Sequence, residues 1–237
     1  MKIKLEEGQK LYIFSDPHYN HANLCKGTTE WTEDVRDFET LEEYNDTIVN
    51  NLNSVIGEND IAICLGDWAF GGYEHIWHFR KRLNCKTIHL FYGNHDEQIQ
   101  KNKFISISEE DYRKHNHRFE MEGDHRCGVL AQDLFASVNQ YETVQVSVPN
   151  GKEVNKYTFV AFHFPIASWE TIGRGVPHLF GHVHLNADMK FMPGRSQDCG
   201  LDGNGLMPYE FVSLIKNLFK RPILSMMEYD HHIAPII

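Results

Sequence analysis

Thr87-Ile88-His89-Leu90-Phe91-Tyr92-Gly93-Asn94-His95-Asp96 is a short apolar, β-prone run that stops abruptly in a polar tetrad. Branched and aromatic residues closed by Gly are the pattern of a buried sheet strand. In open α/β sheets, ligands bind at the edge just past the strand C-termini. Working outward, the chain repeats this arrangement. Leu11–Phe14 runs into Ser15-Asp16-Pro17-His18, 61–65 into Gly66-Asp67, 156–162 into His163, and 177–180 into Gly181-His182-Val183-His184. Between the first three strands, Leu41, Tyr44, Ile48, Leu52, Val55 and Ile56 fall at steps of three and four, and Ile76, Phe79 and Leu83 share one side of 73–83. Both segments are predicted to be amphipathic helices, the first closed by Gly57. Strand, helix, strand, helix, strand implies a parallel sheet with right-handed crossovers.

The second half is less regular. Residues 97–130 are charged, carry His115, His117 and His125, and have little apolar periodicity; they read as a partly helical, solvated insert. Residues 141–162 read as a hairpin turning at Pro149-Asn150-Gly151, 188–206 as a Gly-rich loop, 210–219 as a helix and 222–227 as a last strand. The 237 residues, 41% of them hydrophobic, are enough for one core, so a single domain over 1–237 is expected. The net charge of −10 argues against a protein that coats long nucleic acid. Five scattered Cys without a CxxC pair point to a reducing, cytoplasmic compartment. Residues 1–7 lack the apolar stretch of a secretory signal. No apolar run approaches the ~18 residues of a membrane span.

The five strand ends carry, in order, Asp16 and His18; Asp67; Asn94 and His95; His163; and His182 and His184. Carboxylate, imidazole and amide oxygen suit borderline divalent cations such as Mn, Fe, Zn, Co or Ni. Eight such side chains are too many for one ion, whereas seven ligands fit two ions sharing one carboxylate. The set Asp16-Pro17-His18, Gly66-Asp67, Gly93-Asn94-His95-Asp96, His163 and Gly181-His182-Val183-His184, in this order over 11–184, closely resembles the calcineurin-like metallophosphoesterase superfamily. Within it, Asp16-Pro17-His18-Tyr19-Asn20-His21-Ala22-Asn23-Leu24 resembles the D-x-H-F-G-H-x-N opening of small bacterial and phage phosphoesterases. Leu201-Asp202-Gly203-Asn204-Gly205-Leu206-Met207-Pro208 loosely resembles their C-terminal signature.

The resemblance implies a four-layer α/β/β/α sandwich with two divalent ions, Mn first among them, at the rim of the strands. Asp16, His18 and His184 would hold one ion, Asn94, His163 and His182 the other, and Asp67 would bridge. Two ions ~3.5–4 Å apart can share a hydroxide for in-line attack on phosphorus. His95 would contact the phosphate and protonate the leaving oxygen, and Asp96 would cap the next segment or support the site. The chain departs from the superfamily's protein phosphatases after Gly66-Asp67. The acid that orients the catalytic His is replaced by Phe70, and the phosphate-binding Arg is absent.

The expected activity is therefore hydrolysis of a small phosphoester, a diester such as a nucleotide or cyclic nucleotide before a monoester. A catalytically silent scaffold and a nuclease on long polynucleotides are the readings of another kind. His21, Asn23 and Arg174 are candidates for the missing phosphate contact; ordinary turn chemistry is the alternative for the first two, and an exposed loop Arg for the third. Trp68 and Trp169 are core packing or base-stacking residues. His75, His78 and His89 read as structural, and His231-His232 as inert.

Overall fold

The computed structural model describes residues 1–30, 32, 35–119, 127–186 and 194–223. In chain order the first half holds β1 (Lys2–Lys4), β2 (Leu11–Phe14), α1 (Leu41–Val55), β3 (Ile61–Cys64), α2 (Tyr73–Arg82), β4 (Thr87–Phe91), α3 (Glu97–Gln100), β5 (Phe104–Ser106) and α4 (Glu109–His115). The second half holds β6 (Gly128–Leu130), β7 (Ser137–Asn139), β8 (Tyr141–Asn150), β9 (Glu153–Phe162), β10 (His178–Phe180), β11 (Ser196–Asp198), β12 (Tyr209–Glu210) and α5 (Phe211–Phe219). The fold is mixed α/β. One sheet runs β12-β2-β3-β4-β7, parallel except for β12; the other runs β1-β8-β9-β10-β11, with β8 and β9 antiparallel.

Alternation explains why the central strands read as unbroken apolar runs: successive side chains leave opposite faces, and both faces are buried. Tyr12, Phe14, Ala62, Cys64, Ile88 and Leu90 point to one side and pack against Tyr44, Ile48 and Leu52 of α1 and Ile76 and Phe79 of α2. Leu11, Ile13, Ile61, Ile63 and Phe91 point to the other, where they meet Val144, Val146, Phe159, Ala161 and Leu179 of the second sheet. The two sheets are thus stacked face to face with α1 and α2 outside the first. α5 belongs to the inter-sheet core, its Phe211 lying 5.4 Å from Phe159. Thr40 caps α1 by accepting from the Glu43 N–H, with Glu42 and Glu43 in the positive first turn. The helix stops without a left-handed Gly cap; Ile56 is extended instead.

Two expectations need correction. The 97–130 insert is not simply solvated. β5 and β6 pair, and Ile99, Ile105, Phe119 and Val129 are buried in the core beside α1 and α2. His115 is buried edge-on to Trp77 at 5.3 Å. The chain at 188–206 is not all loop: β11 adds to the second sheet and a 3-10 turn spans Leu201–Asn204. The expected strand at 222–227 falls largely, and His125, His231 and His232 fall wholly, outside the described residues. Trp68 and Trp169 are both buried, Trp68 against Phe79 and Phe135 and Trp169 against His178, so the base-stacking reading of these two is set aside.

Candidate metal centre

The strand registers bring the five motifs to one rim. Phe14 pairs with Cys64 and Cys64 with Leu90, so β2, β3 and β4 end level. In the second sheet Ala161 pairs with Leu179, which levels β9 with β10. Backbone bonds stitch the loops that follow. The Asp16 N–H donates to the Gly66 carbonyl, His18 N–H to Asp67, and Gly181 N–H to His163. The turns are sharp. Among the described residues nine non-glycine residues have positive φ, and five of them are Asp16, His18, Asp67, His182 and His184. A non-glycine left-handed residue costs ~1–3 kcal/mol, so strain is concentrated at this rim. Gly66 has φ +120, and a Cβ on it would sit 2.5 Å from the His163 Nδ1; a Cβ on Gly93 would sit 2.0 Å from Asp67 Oδ1. Those two glycines let the loops approach each other.

Two groups of acid and imidazole side chains form among the described residues. Asp16, His18 and His184 have ligand atoms within 4.8 Å of one another, and so have Asp67, His163 and His182. His115, His117 and Cys127 belong to neither. Asp67 Oδ2 is 3.5 Å from both His163 Nε2 of its own group and His18 Nε2 of the other. Asn94 Oδ1 is 3.0 Å from His163 Nε2. His163 Nδ1 lies 2.8 Å from the Leu65 carbonyl, which it can satisfy only as a donor, so Nε2 presents a lone pair to the Asn94 and Asp67 oxygens. Similarly, His184 Nδ1 faces Asp202 Oδ2 at 3.0 Å, and its Nε2 points at His18 Nε2, 3.1 Å away. Asp16 Oδ1 is buried with no hydrogen-bond partner among the described residues. Acceptors converging on acceptors, with orphaned carboxylate oxygen beside them, are what a cation site needs. The donor set fits two borderline divalent ions.

His95 stands at the edge of this cluster, 5.4 Å from His18 and 5.2 Å from Phe70. Its N–H donates to Asp67 Oδ1, and its ring makes no hydrogen bond among the described residues. Burial, then His182 and His184, hold its pKa below the usual imidazole value. The His95 backbone is thus anchored to Asp67, while its ring only lies against Phe70. Asp96 does not cap α3. Its buried carboxylate accepts from the N–H groups of Asp67, Trp68 and Gly93 and ties two of the motif loops together.

His21 lines the cluster, buried, with its ring 5.5 Å from His18 and 3.9 Å from Phe70. Asn23 is exposed on the 3-10 turn Ala22–Leu24 and Arg174 on the turn Ile172–Arg174. Sequence reasoning missed Arg36. It is buried and spends all five N–H donors: two on Asp202, two on the Asp16 and Pro17 carbonyls, one on the Tyr44 hydroxyl. No donor is left for a phosphate. Asp202, seen only within the loose C-terminal signature, joins Arg36 to His184. Burial works against its charge, but Arg36 outweighs that and holds the carboxyl well below the usual range.

Burial, then neighbouring carboxylates, raise Asp67 to about 8; burial raises Asp16 to about 7. Burial opposes protonation of His184, but Asp202 and Asp16 outweigh it and raise that pKa as well. Protons held more tightly by the folded than the unfolded chain stabilise it at low pH, and that contribution is lost as pH rises through the folded pKa values. Between pH 6.5 and 8.5 all three groups act in this direction. Histidines such as His163, lowered to about 4 by burial, act only below their unfolded value near 6.5. The Tm of EDTA-stripped protein is therefore expected to fall from pH 6.5 to 8.5, and the gain in Tm on adding Mn to grow over the same window. A flat or rising Tm of the stripped protein would contradict this account of the site.

No protein-family model matches the chain. It is 41% identical over 102 residues to the uncharacterized protein MJ1445 of Methanocaldococcus jannaschii, a match covering 42% of this chain and 54% of that protein. The chain thus spans about half the length of the curated relative it matches. Among solved structures it is similar to the protein of unknown function AQ665 from Aquifex aeolicus, with a TM-score of 0.51, 16% identity, and coverage of 89% of this chain and 100% of the other. That likeness bears on the fold alone. No helix among the described residues is long and apolar enough to cross a membrane.

Proposed function

We propose that this chain is a binuclear metal-dependent phosphoesterase of the calcineurin-like superfamily, acting on a small phosphodiester. The observation that carries the reading is Asp67 Oδ2 at 3.5 Å from both His18 and His163, a carboxylate of one three-residue group that also reaches a histidine of the other. Asp16, His18 and His184 would hold one divalent ion, with Mn the first choice, and Asn94, His163 and His182 the other. When bound, the pair supplies charge neutralisation at the phosphoryl oxygens and acidifies a water for in-line attack. The chain's own residues do the rest. Asp202 fixes the His184 tautomer, Asp96 holds the Asp67 and Gly93 loops in contact, and His95 delivers a proton to the leaving oxygen. With every Arg36 donor engaged inside the fold, that guanidinium lends nothing to a second negative charge on phosphorus; a monoanionic diester suits the site better than a monoester dianion.

The same reading takes the stacked sheets, with α1 and α2 outside one of them, as part of the superfamily's four-layer sandwich. Five free cysteines, four of them buried, accord with a cytoplasmic protein. Hydrolysis of bis(p-nitrophenyl) phosphate by the Mn-loaded chain is the direct test. His95→Ala is expected to lower kcat by ~10²–10⁴ with metal content unchanged. Absence of turnover on both diester and monoester at saturating Mn would end the proposal.

A further inference from the structure

Beyond His95, on the side that carries Phe70, lies a cavity of about 400 Å³. Its volume falls in the ~300–1,000 Å³ range of small-molecule sites. His95 and Asn94 form one wall, Phe70, Gly71, Gly72 and Tyr73 another, and Glu97 and Gln98 the start of α3. Phe70 is 36% and Tyr73 40% exposed, which makes them two of the few large hydrophobic side chains left open to solvent. Both border this one cavity. Neither is used by the core, and Trp68, two residues earlier, is fully buried.

Charge narrows the occupant. Among the described residues no Lys or Arg lines the cavity. Its carboxylates are Asp96, buried with its oxygens committed to backbone N–H groups, and the exposed Glu97, which pairs with Lys101 one turn on. An anionic group would find no cation to pair with among the described lining residues. A planar, uncharged aromatic group would stack on Phe70 and Tyr73.

We infer that this cavity is the leaving-group subsite and that it takes an uncharged aromatic alcohol, an aryl or nucleoside group, while rejecting leaving groups that carry a further phosphate or carboxylate. The inference rests on the proposed phosphodiesterase reading, because His95 gives the cavity its place on the departing side. Phe70, standing where related phosphatases have an acid, becomes the residue that sets specificity.

The test uses the full Mn-loaded chain and two methyl aryl phosphodiesters of matched leaving-group acidity, one with a neutral nitrophenol and one whose ring also bears a carboxylate. Wild type is expected to favour the neutral diester at least tenfold in kcat/KM. Phe70→Ala is expected to raise KM for it about tenfold with a much smaller change in kcat, and Phe70→Lys to shrink the discrimination toward one. A dinucleoside monophosphate, with the same two variants, separates the sources. Phe70-dependent KM on that substrate assigns the nucleoside; dependence on the aryl diesters alone assigns a simple aryl group. Equal kcat/KM for the neutral and carboxylated diesters in wild type, or a Phe70→Ala effect on kcat alone, overturns the subsite. If none of the diesters, bis(p-nitrophenyl) phosphate included, is hydrolysed, the phosphodiesterase reading has failed instead. Adenosine binding to the protein then decides the cavity by itself, weakening in Phe70→Ala if the subsite is real and unchanged if it is not.

Discussion

Asp67→Asn is expected to lower the proposed phosphoesterase activity by about three orders of magnitude and to leave a protein that folds at least as well as the wild type above pH 8. The two halves of this expectation share one cause. Asp67 Oδ2 sits 3.5 Å from the Nε2 atoms of His18 and His163, and Asp16 is close enough to raise its pKa further. Without cations, a buried carboxylate with a pKa of about 8 is a liability at pH 8.5. At ~1.4 kcal/mol per pKa unit, an amide that cannot ionise relieves several kcal/mol. Oδ1, which accepts from the His95 N–H, has an equivalent in the amide oxygen. With cations, the same carboxylate, 3.5 Å from a histidine of each group, is placed to serve both halves of the proposed centre. A loss of several kcal/mol of charge stabilisation is ~10³ in rate. Elemental analysis should find about two ions per wild-type chain and one or fewer in the variant. Differential scanning of the stripped proteins at pH 8.5 should give a Tm for the variant equal to or above the wild type. A variant that keeps two ions and full turnover would remove Asp67 from the centre; one that merely unfolds would contradict the electrostatic argument.

This opposition between stability and site chemistry explains what could be read from the sequence. The central strands were legible because both of their faces are buried, so Leu11–Phe14 and Ile61–Cys64 are unbroken apolar runs. The polar residues that follow them break so many local rules, including positive φ at Asp16, His18 and Asp67, that a functional reason is the economical one. Hidden from sequence was whatever depends on partners far along the chain. Arg36 is polar and lies in a stretch without periodicity, and its carboxylate partner stands 166 residues away. β11 is Ser196-Gln197-Asp198, three polar-leaning residues that carry no strand signal, yet Asp198 receives the Leu185 N–H just after His184. The buried part of 97–130 is hidden for a related reason. Its buried residues Ile99, Ile105, Phe119 and Val129 are spaced by short elements of different type, so no single period reveals them.

Arg36→Met is expected to be among the most destabilising single substitutions in the chain, at roughly 3–5 kcal/mol, the usual cost of breaking a buried ion pair from one side. In a protein of this size that is a fall in Tm on the order of 10 °C. Met matches the stem but none of the five hydrogen bonds. The bidentate pair with Asp202, at 2.7 Å on both arms, is lost, and so are the bonds to the Asp16 carbonyl at 2.7 Å, to Pro17 and to Tyr44. The carbonyls of Asp16 and Pro17 belong to the turn that presents Asp16 and His18, so that turn loses its buried anchor. Asp202 would be left carrying charge without its cation and would compete for a proton with His184. Asp202→Asn separates the roles. It removes the ion pair's charge while keeping the shape, and it weakens the acceptor that orients His184 Nδ1. The expected result is a smaller loss of stability together with a ~10–100-fold loss of affinity for one of two ions, seen as a biphasic metal titration in which only the tighter phase shifts. The double variant completes the cycle. A coupling energy near zero between Arg36→Met and Asp202→Asn would mean that the buried pair is geometric coincidence and that His184 is positioned by its turn alone.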